Sequence, residues 1–513
     1  MLGMVPQGTA VAGSVQRDGR TMSVEPGVIP VSNIPSAAEA ANRGRSASMA
    51  QTIGLIVLLS WQLMVVLDGT IVNIALADIR QNLGFSDTSL SWVVNAYALA
   101  FGGLLMLGSR AGDMFGRRRL LITGVLVFTV ASALGGIASN QEMLIIARVL
   151  QGVGAAMAAP STLSLIVTNF EAGAARNRAL SLFASVSGVG ASIGLILGGV
   201  LTSWLSWHWI FFVNVPIGIA VAVLAPRFVA EAPLQPGRLD IGGAIASTLG
   251  VTALVYGFIR AAEVNWTDPL TIASFVAAVI LLGAFVAIER RVAQPILPFR
   301  LFNERKRTIA FINQLLVPAT LFGVFFFLTQ YLQVVLGMSA VQSGFAFLPF
   351  SATIVIGSRL VPRAVARFGP RTVMIFGGLA VATGLVLMSR LDETASYFPL
   401  VFISMVIMAS GAVASFVSLS LAIMGAISPE DSGPASGLMQ TNQQIGGAIG
   451  LAVLVTVFGT VSANALADGS NRIEAMVAGM QRGFLTAAGI ALLVTVIAAI
   501  GYRSSSRDEQ RGS

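Results

Sequence analysis

Apolar stretches long enough to cross a bilayer, about 20 residues each, recur along the whole chain. They fall at 53–76, 88–109, 119–138, 142–168, 178–203, 208–229, 239–260, 270–289, 308–334, 341–362, 371–390, 396–427, 433–463 and 482–502. Short polar connections rich in Gly, Arg, Asp and Pro separate them. The pattern predicts an all-α polytopic membrane protein of fourteen transmembrane helices, because a helix satisfies every backbone amide inside hydrocarbon. An even number of spans puts both termini on one side. Residues 1–50 hold Gly, Ser, Ala, Pro and Arg without an apolar run. They read as a disordered cytoplasmic tail without a signal-peptide pattern, with Met22 and Met49 as candidate alternative starts. Residues 504–513 read as a second short tail.

The chain repeats itself. GSRAGDMFGRRRLLITG at 108–124 is echoed by GSRLVPRAVARFGPRTVMIFG at 357–377, with Gly116 and Gly369 set 253 residues apart. The glycine spacing around Gly194 returns around Gly446 at an offset of 252. Two anchors at nearly one offset predict homologous six-helix bundles over 51–230 and 301–503. Two inserted transmembrane helices and a cytoplasmic linker occupy 231–300. This is a parallel-repeat layout, with any substrate site at the midplane between halves.

Composition narrows the class. Of 513 residues 55% are hydrophobic and 11% charged, against about 25% charged in a soluble protein. There is no Cys and one histidine, His208, which excludes disulfides, thiol chemistry and Cys-ligated metals and argues against a His-based site. A net charge of +8 would point to nucleic acid in a soluble protein. Here 25 of the 31 Lys and Arg fall on the side assigned to the termini, so the positive-inside rule accounts for it. The expectation is a multi-pass protein of the cell membrane with both termini cytoplasmic and no nucleic-acid partner. No nucleophile–base pair or metal-ligand cluster appears, and no phosphate-binding loop. The chain reads as a non-enzyme without cofactors whose energy comes from an ion gradient.

Sorting the acids isolates the chemistry. Of the 23 Asp and Glu, one lies well within a span: Asp68, in IGLIVLLSWQLMVVLDGTIVNIAL. A carboxylate at a helix centre costs roughly 2.5–3.5 kcal/mol even on the milder insertion scales. It therefore faces protein or a water-filled cavity, either merely satisfied by neighbouring helices or serving as a proton site. Arg148, in LIIARVLQGVGAAMAAP, is the other embedded charge, a partner for Asp68 or a residue snorkelling to the interface. Trp61 and Met64 share the helical stripe of Asp68. With Asn95, Tyr97, Asn313 and Gln314 they are candidates for a largely apolar cavity suited to lipophilic or cationic small molecules. Phe325 to Phe327 cannot share one face and read as packing or lipid contacts. In the loop after the second stretch, Asp113, Gly116, Arg117 and Arg118 suit a gate. There glycine permits a tight turn, and Asp113 is free to form an ion pair that holds the bundles together in one state. Enforcement of topology accounts for some of the arginines. Gly190, Gly194, Gly198 and Gly199 follow the small-xxx-small spacing of close helix packing.

Taken in order, LDGTIVNIAL (67–76), SRAGDMFGRRR (109–119), ARVLQGVGAA (147–156), the glycine-rich fifth stretch and WHWIFFVNVPIG (207–218) resemble the signatures of the major facilitator superfamily. Fourteen spans narrow the resemblance to its drug:proton antiporter family. It implies proton coupling at Asp68 and Arg148 and gating by Asp113, Gly116 and Arg117. The chain departs from that pattern where Leu195 stands for a proline, Ser109 and Ala111 for Gly and Leu, and His208 for Arg. The expected function is export of amphipathic or lipophilic drugs in exchange for protons, within membrane lipid, by alternating access. An exporter or importer dedicated to one metabolite or lipid, and a non-transporting scaffold, are the alternatives.

Overall fold

The apolar stretches become helices because hydrocarbon leaves any unpaired backbone amide costly. The computed structural model describes residues 37–171, 173–234, 239–292, 295, 297, 299–424 and 432–501. The helices are α1 (Ala37–Leu83), α2 (Trp92–Phe115), α3 (Arg117–Gly136), α4 (Gln141–Asn169), α5 (Ala174–Trp204), α6 (Trp209–Phe212), α7 (Asn214–Phe228), α8 (Ile241–Glu263), α9 (Pro269–Glu289), α10 (Arg305–Gln330), α11 (Ala340–Ala346), α12 (Leu348–Met388), α13 (Phe402–Met424), α14 (Ser432–Ala467) and α15 (Arg472–Gly501).

Twelve helical runs among the described residues are long and apolar enough to cross a membrane, against the fourteen stretches read from sequence. The expected stretches 341–362 and 371–390 merge into the single run Ala340–Met388. Within it Gly369, at φ 78° and ψ 155°, turns the chain without a loop and helix resumes at once. Stretch 178–203 lies in α5, whose apolar run Ile193–Trp204 is short. The 208–229 stretch is interrupted at Val213, between α6 and α7. Helix α1 begins at Ala37, inside the segment expected to be a disordered tail. Its alanine-rich run AAEAANRGRSASMA favours helix strongly enough to overrule that expectation. Residues 1–36 and 504–513 lie outside the described residues.

The repeat survives as backbone geometry. Gly116 and Gly369, the paired glycines of the echoed motif, both adopt positive φ, 104° and 78°, a region a side chain would strain. Gly194 lies against Leu67 and Thr70 of α1, and its counterpart Gly446 lies against the Leu315 carbonyl of α10.

Packing differs between the two ends of the molecule. Away from the termini, one apolar core runs through both halves, from Ile71, Ile74, Val93 and Phe211 to Phe326, Phe327, Phe458 and Phe484. Phe326 and Phe327 are thus fully buried packing residues. On the side of the termini each half has its own core. Leu58, Trp61, Phe128 and Ile166 belong to one, and Leu301, Phe311, Met374 and Leu419 to the other. Met106 of α2 packs on the second cluster. The inserted pair is not peripheral: Gly103 of α2 meets Thr248 of α8, and Thr456 of α14 donates to the Phe258 carbonyl of α8 at 2.7 Å. Helix α8 therefore lies on the α2–α14 seam, and α9 covers its far side.

Candidate functional site

Asp68 and Arg148 are each only 1% exposed. Arg148 Nη1 donates to Asp68 Oδ2 at 2.6 Å. Helix α4 brings in a second donor one turn later: Gln151 Nε2 reaches Asp68 Oδ1 at 2.9 Å, while Gln151 Oε1 accepts from Arg148 Nη1 at 2.9 Å. The spacing of three residues puts both side chains on one helix face. Ser132 of α3 accepts from Gln151 Nε2 at 2.7 Å. Asn214, the first residue of α7, donates to Asp68 Oδ1 at 3.3 Å. Arg148 Nε is held by the Val93 carbonyl at 2.8 Å, and its guanidinium lies 4.4 Å from the centroid of the Tyr97 ring. Helices α4 and α7 thus supply the donors to the carboxylate on α1, and α2 and α3 hold those donors in place. Every hydrogen bond the carboxylate receives comes from a donor, and the arginine supplies the opposite charge that burial demands. The snorkelling reading of Arg148 is excluded by its burial.

Asn214 Oδ1 is buried without a hydrogen-bond partner, as are the Tyr97 hydroxyl and both side-chain polar atoms of Asn95. Unpaired buried polar atoms are few in native proteins and mark places where function outweighs stability.

The remaining sequence candidates separate into groups. Trp61 and Met64 sit in the core of the first half, with the Trp61 ring edge-on to Phe128 at 5.4 Å. Asn313 and Gln314 are buried in the second half, where Asn313 Nδ2 is 3.5 Å from Met374 Sδ. Asp113 does not join the halves here: its ion pair, 2.6 Å, is with Arg117 one turn on. Arg117 also donates to the Pro160 carbonyl of α4 at 3.2 Å, since a four-residue spacing brings the two side chains together locally. Arg118 donates to the Val229 carbonyl at 3.1 Å. Gly190, Gly194 and Gly198 pack α5 on α1, whereas Gly199 lies against Ala340 and Val341 of α11, across the two halves. With Leu195 in place of a proline, α5 runs as one helix.

Sequence reading missed Gln151, Ser132, Asn214 and Glu231. Gln151 carried a legible signal, a polar side chain one turn beyond an embedded arginine. Asn214 lay inside a motif without its neighbour being evident. Glu231 caps α3, accepting from the backbone amides of Arg118 at 2.7 Å and Arg119 at 3.3 Å, a contact over more than a hundred residues.

The family model for the Major Facilitator Superfamily matches residues 58–451 and 310–512. The chain belongs to the major facilitator superfamily. Among curated relatives, it is 41% identical over 468 residues to the puromycin resistance protein pur8 of Streptomyces alboniger, covering 89% of this chain and 92% of that one. It is 38% identical over 435 residues to the cephamycin export protein CmcT of Amycolatopsis lactamdurans, covering 84% and 90%. Among solved structures, a bacterial homologue of the human lysosomal transporter Spinster superposes with a TM-score of 0.64 at 16% identity, over 88% of this chain and 97% of that one. This likeness bears on the fold, which is that of a membrane transporter.

Proposed function

We propose that this transporter exports amphipathic small molecules in exchange for protons, by alternating access, with Asp68 as the proton-binding carboxylate. The observation that carries the reading is the fully buried Asp68–Arg148 pair, an expensive arrangement that a purely structural bundle would replace with apolar side chains at little or no loss of stability. Protonation of Asp68 weakens its hold on Arg148, and the freed guanidinium and Gln151 then reorganise α1 against α4. The core shared at one end and divided at the other supports a state closed away from the termini. With cytoplasmic termini, as the arginine distribution favours, that state faces inward. We take α5 as one span and the two arms of α12 around Gly369 as two, which restores fourteen crossings.

Relatives named for puromycin resistance and cephamycin export favour antibiotic-like cargo, and also support a second reading, a carrier dedicated to one such compound. Efflux of ethidium and of puromycin from cells expressing the wild type or Asp68→Asn, with and without a protonophore, tests both. Loss of both effluxes in the variant and with the protonophore supports a broad proton antiporter. Puromycin efflux alone supports the dedicated carrier. Efflux that persists in Asp68→Asn under a pH gradient rejects the proton role of Asp68.

A further inference from the structure

The echoed loops of the two halves carry the same number of arginines but balance them differently. In the first, Asp113 neutralises Arg117, and Glu231 lies 3.9 Å from Arg118. In the second, Arg359, Arg363, Arg367 and Arg371 fall within thirteen residues, and the sequence holds no acid between Glu304 and Asp392. None of these four pairs with a carboxylate among the described residues. Arg363 Nη1 reaches only the Arg359 carbonyl, and Arg371 Nη2 only the Ala499 carbonyl at 2.8 Å, which also fixes this loop at the C-terminal end of α15. The half's Glu430 and Asp431 fall outside the described residues.

Beside these arginines runs an apolar cavity of about 480 Å³ between the two arms of α12 and α13. Val361, Ala364 and Phe368 line one wall and Phe376 and Ala414 the others. Phe368 and Phe376 are 57% and 68% exposed, so the cavity opens toward the surrounding lipid. The Arg367 guanidinium lies 5.3 Å from the Phe368 ring that forms the rim. Arg363 and Arg367, four residues apart, make the helix stripe next to Ala364 and Phe368.

We infer that this groove is a binding site for an anionic phospholipid, with one acyl chain in the cavity and the headgroup phosphate on Arg363 and Arg367. Charge complementarity selects the occupant. A zwitterionic lipid fills the same apolar volume, but only an anionic one balances arginines that have no carboxylate partner among the described residues, each favouring it by roughly fivefold. The site does not depend on what is transported, nor on Asp68.

The test is a lipid count on the full-length protein, purified in detergent and titrated with phosphatidylglycerol or phosphatidylcholine of matched acyl chains, read by native mass spectrometry. The wild type is expected to retain phosphatidylglycerol in preference. Arg363→Gln/Arg367→Gln is expected to lose that preference by roughly 25-fold, and Ala364→Trp, which fills the cavity, to lose both lipids. Arg290→Gln/Arg291→Gln, a same-side arginine pair outside the groove, is expected to behave as wild type. Glycerol phosphate, which lacks acyl chains, is expected not to compete. Equal retention of both lipids by the wild type would overturn the inference. So would loss of preference in the Arg290/Arg291 variant, or an unchanged count in both groove variants.

Discussion

The two halves share a fold and divide the work. The first encloses the charges: Asp68, Arg148, Gln151, Ser132 and Asn214 form one buried network, and Asp113 and Glu231 pair with Arg117 and Arg118 of its loop. The apolar stretches of the second half contain no acid, and the four arginines of its echoed loop have no carboxylate partner among the described residues. A duplicated bundle need keep only one copy of a costly charge site. The other copy is then free to spend its interior on packing, as Phe326, Phe327, Phe458 and Phe484 do.

Experiments that break this asymmetry rank by expected effect. The largest is Arg148→Leu, which strands the Asp68 charge. Breaking a buried pair from one side costs about 3–5 kcal/mol, so the folded yield and Tm in detergent should fall steeply. The double variant Asp68→Asn/Arg148→Leu should recover most of that stability while remaining inactive in efflux. Next, Gly199→Val adds side-chain atoms where even a Cβ would lie 2.6 Å from the Ala340 carbonyl. Overpacking costs about 1–3 kcal/mol, charged to the closed state specifically, so cysteine crosslinking across α5 and α11 should decline.

Asn214→Leu removes one donor to the ionised carboxylate and the unpartnered acceptor. Transport should persist with an altered pH profile, whereas an unchanged profile would reduce Asn214 to a packing residue. Asp113→Asn breaks a partly exposed local pair, worth about 1 kcal/mol at most, and should slow efflux with little change in Tm.

The smallest effect concerns His208, the only histidine, whose pKa burial holds below its usual 6.5. The unfolded chain binds a proton there before the folded one does, so stability is full above 6.5 and declines as pH falls through it. A Tm series from neutral to mildly acidic pH should show a slightly shallower decline for His208→Gln.

The embedded charges were legible because hydrocarbon makes a lone Asp conspicuous, and the repeat because its turn glycines are fixed by backbone sterics. The network around Asp68 was less so. Gln151 is one turn from Arg148 on one helix, but Ser132 and Asn214 arrive from α3 and α7, and sequence separation hides such contacts. Asp113, expected to bridge the halves in one state, is paired here with Arg117, a nearer partner at helical spacing. The span count differs because a glycine alone turns the chain inside α12, where sequence reading expects a loop, and because the apolar run of α5 is short.

The seam between α5 and α11 has a bearing on leakage. Gly199 and Gly344 bring backbone against backbone, with the Ala340 and Leu195 carbonyls 2.6 Å from where a side chain would begin, inside van der Waals contact. A water file needs about 30 Å³ per molecule and polar partners along its path, and this seam offers no such room. A membrane that stores energy as an ion gradient loses it through any continuous wet path. By closing on glycine, the protein carries a buried ionisable group within a membrane without opening a wet path along this seam.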